Sequence, residues 1–111
     1  MVKAYLPEVR ANADVVVLLA STSRDDAGRI ARETQGIDFV FGTYGGIYNQ
    51  TEESEGATRV FYTGNQGRRL GETRVFLDPE GKLVSSTSYQ HNLTARYPDD
   101  PTMRAFVDAG N

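Results

Sequence analysis

The sequence predicts one α/β domain over residues 1–111, and three observations carry that reading. Two short runs, Val15-Val16-Val17-Leu18-Leu19-Ala20 and Phe39-Val40-Phe41, are apolar throughout, as strands covered on both faces are. The segment between them has helical spacing, which makes a βαβ unit and implies parallel pairing. Downstream, strand-like runs alternate with short turn signals, the pattern of antiparallel neighbours.

Each element has a local reason. Val2, Leu6, Val9 and Ala13 fall at helical spacing, but Pro7 has no amide to donate, so a short helix is expected over residues 7–12. Val15–Ala20 then reads as the central strand. Ser23 followed by Asp26 resembles a capping box, and Ala27, Ile30, Ala31 and Thr34 line one helical stripe that Gly36 ends. After Phe41 the glycines and the acidic residues Glu52, Glu53 and Glu55 predict a loop from Gly42 to Gly56. Strands are expected at Arg59–Thr63, Arg74–Leu77 and Leu83–Tyr89, with turns at Gly64–Gly67 and at Asp78-Pro79-Glu80-Gly81, so the second half reads as an antiparallel meander. Asp99-Asp100-Pro101 has the form of an N-cap and first-turn proline before Met103, Phe106 and Val107, a final short helix. Neither an internal repeat nor a linker is visible.

Composition narrows the function. Hydrophobic residues make up 39% and charged residues 24%, with 11 glycines and 4 prolines, as in a folded domain rather than a disordered chain. At this length about 65% of the unfolded surface can be buried, in a single core. Fifteen acidic against twelve basic side chains give a net charge of -3, which argues against nucleic acid as a partner. The lack of cysteine excludes disulfides, thiolate metal sites and thiol nucleophiles. No stretch approaches the ~20 apolar residues of a membrane span, and the first residues lack the apolar core of a secretory signal, while the compartment stays open. The sequons at Asn49 and Asn92 are read as coincidental.

Chemistry-bearing residues are sparse. His91, the sole histidine, has no second imidazole or thiol to share a metal and no triad motif around it, so a packed or surface role explains it more simply. Asp25-Asp26 and Asp99-Asp100 stand at helix starts, where carboxylates satisfy free amides. The loop glutamates read as solvated, and Arg68-Arg69 is short for a phosphate site. Gly42-x-x-Gly45-Gly46 follows a strand, yet no Gly-Lys-Ser/Thr comes after it and no helix opens directly behind it, so it is neither a P-loop nor a dinucleotide fingerprint.

The order of the pieces is more specific than any one of them. Asp14–Leu19, a helix, Gly36–Gly42, a loop, Val60-Phe61-Tyr62-Thr63-Gly64-x-x-Gly67-x-x-Leu70-Gly71 and Gly81-Lys82-Leu83 together resemble the second half of the calcineurin-like metallophosphoesterase domain of 5'-nucleotidases. The resemblance spans residues 8–90, and Tyr97–Pro101 is similar to the segment that leaves that domain. It implies about half of an αββα sandwich and, for the parent family, two divalent metal ions. The family's histidines would fall at Ser21, Tyr44 and Gly46, where a hydroxyl, a phenol and no side chain stand instead, all poor donors to a transition metal.

The further Asp-x-His, Gly-Asp and Gly-Asn-His motifs of the family's first half are not present, and Gly64-Asn65-Gln66-Gly67 echoes the last only superficially. The resemblance therefore implies a non-catalytic portion with no cofactor of its own. Its strand-end loops at Ser21, Tyr44, Gly45, Gly46 and Asn65 would form a ligand or partner surface, and its open apolar face would be covered by a missing N-terminal half or by self-association. The alternative is a share in a phosphoesterase whose metal ligands come from that half or from another subunit.

Overall fold

The computed structural model describes residues 1–110, and they form three helices and six strands in an α/β arrangement. In chain order these are α1 (Val2–Ala11), β1 (Val17–Ala20), α2 (Arg24–Glu33), β2 (Phe39–Gly42), β3 (Glu53–Glu55), β4 (Thr58–Tyr62), β5 (Arg69–Leu77), β6 (Leu83–Asn92) and α3 (Pro101–Ala109). The first four strands make one sheet in the order β1-β2-β4-β3, while β5 and β6 form a separate hairpin. Strands β1, β2 and β4 run parallel, and β3 folds back antiparallel on β4.

The helix side of the four-stranded sheet holds the core. Ala27, Ile37, Val40, Val60 and Tyr62 cluster there, with Val2, Leu6, Ile30 and Ile47 packed around them. Helix α2 begins as the capping box predicts, for the Ser23 hydroxyl accepts from the Asp26 N–H at 3.2 Å, and Ala27, Gly28 and Ala31 face inward. The Tyr62 hydroxyl donates toward the Thr22 and Ser23 carbonyls at 2.7 and 3.1 Å, tying the end of β4 to the start of α2. This ring needs the glycine beside it, because a Cβ on Gly42 would lie 2.3 Å from its nearest atom.

The hairpin packs on the opposite face through polar ties. Ser86 and Ser88 each donate to a Glu52 carboxylate oxygen at 2.7 Å, and Arg59 approaches the same carboxylate at 3.3 Å. The Gln90 amide donates to the carbonyls of Asn49 and Tyr62 at 2.9 and 2.8 Å. A close approach at Gly71 completes the contact, since a Cβ there would stand 2.5 Å from Thr63 and 2.9 Å from Phe61. The turn joining β5 to β6 is the expected one: the Gly81 N–H donates to the Asp78 carbonyl at 3.0 Å and the Asp78 N–H to the Lys82 carbonyl at 2.8 Å.

Several expectations are corrected. The three downstream strands do not make one meander, because β4 crosses back to lie parallel to β2. Its Val60, Phe61 and Tyr62 are all buried, which suits a strand between two others and not a hairpin arm. Strand β1 is at the sheet edge rather than its centre, with Val17 and Leu19 exposed. Helix α1 starts well before Pro7 and carries it inside, because Val2 and Leu6 anchor the first turns on the core.

The loop after β2 contains β3, and both hairpin strands run longer than expected, so His91 lies within β6 rather than after it. Helix α3 has the expected cap, with the Asp100 carboxylate accepting from the Met103 N–H at 3.0 Å, but none of its residues is buried. The shape is accordingly open: the radius of gyration is 16.5 Å, against about 13 Å for a compact chain of this length.

Candidate functional site

Register builds the site. Ala20, Gly42 and Tyr62 stand side by side at the carboxyl ends of the three parallel strands. The next residue of each strand, Ser21, Thr43 and Thr63, therefore forms a row at that end, and the Thr43 N–H extends the ladder to the Ala20 carbonyl at 2.9 Å. All three line a cleft of about 720 Å³ between the four-stranded sheet and β5. The carboxyl ends of parallel strands are where α/β sheets commonly hold ligands.

The cleft is apolar behind this row. Val17, Leu19, Phe39, Phe41 and Phe61 supply one wall, and Gly71, Thr73 and Val75 the other. Arg69 adds a cation, its guanidinium resting 3.7 Å from the centre of the Tyr48 ring. No carboxylate pairs with Arg69 among the described residues. Hydroxyls and a guanidinium offer hydrogen bonds and positive charge to a ligand.

The residues singled out from sequence are partly gathered. Ser21 lines the cleft. The loop bearing Tyr44, Gly45 and Gly46 follows β2 at the same end, and a Cβ on Gly46 would stand 3.8 Å from the Asn65 amide, so these two loops touch. Tyr44 is half exposed, and nothing lies within 4 Å of a Cβ on Gly45. Reading the sequence missed Thr43, Thr63, Tyr48 and Arg69. A signal existed for Arg69, since Arg69, Gly71, Thr73 and Val75 alternate along one strand face, but that face becomes meaningful only once β5 is known to lie over the sheet.

The three strand-end positions singled out from sequence carry no nitrogen or thiolate side-chain donor. Ser21, Tyr44 and Gly46 offer no imidazole, and no cluster of three His, Asp or Glu side chains capable of holding a metal occurs among the described residues. His91 lies on the hairpin, its Nε2 3.6 Å from Glu72, with the Tyr97 hydroxyl 3.4 Å from its Nδ1. Its partner across the ladder is Leu70, which places it on the face turned away from the Gly71 contact.

Asn49 is committed to the fold. Its amide donates to the Val60 carbonyl at 3.2 Å and its side-chain oxygen accepts from the Tyr62 N–H at 2.7 Å, so this sequon nitrogen is buried and engaged. The Tyr62 phenol is held above its ordinary pKa, chiefly by burial; Arg24 opposes the shift and Asp26 adds to it. No helix among the described residues is long and apolar enough to cross a membrane. Compared with known protein families and curated proteins, the chain matches no family model and no curated sequence.

Proposed function

We propose that this chain is a non-catalytic portion of a 5'-nucleotidase-like metallophosphoesterase fold, acting as a structural and partner-binding half of a two-sheet sandwich. The observation that supports the reading best is the apolar sheet face opposite the helices. The hairpin covers it at Phe61 and Phe39, which are 3% and 1% exposed, and leaves it open at Leu19, which is 78% exposed. A face of this kind is the inner surface of a sandwich whose second sheet is incomplete. The strand-end residues agree with a non-catalytic role, because two-metal phosphoester hydrolysis depends on ligands that hold two ions against the substrate oxygens, and Ser21, Tyr44 and Gly46 are not such ligands.

Calorimetric titration with Mn²⁺ or Zn²⁺, alongside an assay of bis-p-nitrophenyl phosphate hydrolysis, tests this. The expected outcome is no two-equivalent binding and no turnover. The variant combining Ser21→His, Tyr44→His and Gly46→His should also stay inactive, although each site has room for the ring: Ser21 and Tyr44 are exposed, and the neighbours of Gly46 are 3.8 Å away. Turnover by the native chain that a chelator abolishes would overturn the reading and favour a phosphoesterase with ligands supplied from elsewhere.

A further inference from the structure

Charge is placed at one end of the cleft between the sheet and β5. Arg69 is the only charged side chain among its described lining residues. Its guanidinium reaches the residue after Thr63, since a Cβ on Gly64 would lie 3.0 Å from one of its nitrogens, so it shares the carboxyl end with the hydroxyls of Ser21, Thr43 and Thr63. Behind that end the sheet presents hydrocarbon. Leu19, Phe41 and Phe61 stand in register across β1, β2 and β4, and Val17 pairs with Phe39 two residues further back. Gly71, Thr73 and Val75 face them from β5. Because a strand rises about 3.3 Å per residue, the stretch of β5 from Arg69 to Val75 makes a trough of about 20 Å with its cation at one end.

Arg69 is also set in place for a partner it does not have. Arg10, Arg24, Arg32 and Arg59 each hold a carboxylate across the fold, whereas none pairs with Arg69 among the described residues. Its guanidinium lies 3.7 Å from the centre of the Tyr48 ring instead. Stacking occupies the flat face of the guanidinium and leaves its N–H edge open. Gly64, at φ +85°, makes room for this pose. A guanidinium fixed by a ring and left without a counter-ion is a preorganised receptor for an anion.

From this arrangement we infer that the cleft binds an elongated amphipathic carboxylate, such as a medium-chain fatty acid, with its head on Arg69 and the strand-end hydroxyls and its tail along Phe41 and Phe61. Charge selects the head group. One guanidinium matches one negative charge, and the dianion of a phosphate monoester would leave a second charge beside an apolar wall. The walls select the tail, because a short or polar anion would leave Leu19 and Phe41 facing water. The cleft volume of about 720 Å³ falls within the roughly 300–1,000 Å³ of small-molecule sites. The inference goes beyond the proposed function and does not rest on it: that reading is tested by metal binding and turnover, this one by ligand affinity, and either can fail alone.

Calorimetric titration with decanoate at pH 8, below its micellar range, tests the inference. One equivalent should bind and raise the melting temperature, while decanol and decylamine should bind about 10-fold more weakly, because neither gives the guanidinium a charged acceptor. Decyl phosphate should also bind more weakly than decanoate. Arg69→Gln should weaken decanoate binding by about 10-fold and leave decanol unchanged. Leu19→Glu provides a variant that does not touch the Tyr48 stack: position 19 is 78% exposed, so the fold survives while a carboxylate enters the trough wall, and decanoate should again be lost. Lys82→Gln, at the far turn of the hairpin, should change nothing. Equal affinity for decanol, tighter binding of decyl phosphate, indifference to both Arg69→Gln and Leu19→Glu, sensitivity to Lys82→Gln, or no saturable binding before micelles form would each overturn the inference.

Discussion

On the helix side of the four-stranded sheet Val40 and Tyr62 are fully buried, whereas on the hairpin side burial fades from Phe61 and Phe39 at the middle strands to Val17 and Leu19 at the edge. Both faces are written in the same residue types. The difference lies in the width of what covers them: α1 and α2 together reach across their side, while a two-stranded hairpin spans only part of the other. An apolar strand thus states that both its faces suit a core, and the neighbouring layer decides whether each face receives one.

The largest test of this contrast is to remove the closed face's anchor. Tyr62→Ala should cost about 3–5 kcal/mol in chemical denaturation, because a fully buried ring is lost along with its bonds to the start of α2. A loss below ~1 kcal/mol would mean that the helix layer is not the centre of stability. The same phenol gives a pH test. Its pKa is raised in the folded state, so its contribution is fully present below the unfolded value near 10 and is lost as pH climbs from there through the folded value. The melting temperature should therefore fall in that alkaline window, and Tyr62→Phe should remove this part of the fall.

A smaller effect is expected where the hairpin meets the sheet. Gly71→Ala inserts a methyl group against Thr63 and Phe61 and should cost roughly 1–3 kcal/mol. Loosening of the cleft should appear as increased binding of a hydrophobic dye, and an unchanged signal would separate the hairpin from the burial gradient. The smallest effect belongs to the open face. Leu19→Ser should change monomer stability by no more than about 0.5 kcal/mol, because that side chain is already in water. A cost like that of a core leucine would show that the edge is covered.

Local chemistry was readable in the sequence wherever a short motif dictates it. The Ser23 cap, the Asp100 cap with its proline and the Asp78–Gly81 turn form from residues within a few positions of one another. What escaped were decisions made at long range. Whether Val60-Phe61-Tyr62 pairs with β2 or with the following strand is not encoded in those three residues, because both choices bury them. The same holds for the edge position of β1, whose apolar run fits a centre equally well. In the candidate site, Ser21, Gly46 and Asn65 could be placed from strand ends alone, whereas Arg69 and the hydroxyls of Thr43 and Thr63 join it only through the register of parallel strands and the docking of a hairpin.

The clamp on Glu52 has a consequence in time. The β5–β6 hairpin closes over a tight local turn and can zip within microseconds of the chain becoming free to fold. Its grip on the sheet must wait, for Ser86 and Ser88 reach a carboxylate 34 and 36 residues away, and loops of that length close at a greater entropic cost. The hairpin is therefore a unit that forms early and docks late. In the folded protein the same few bonds form its release catch, so hydrogen exchange should find residues 69–92 opening together, at a lower free energy than the parallel strands beneath them.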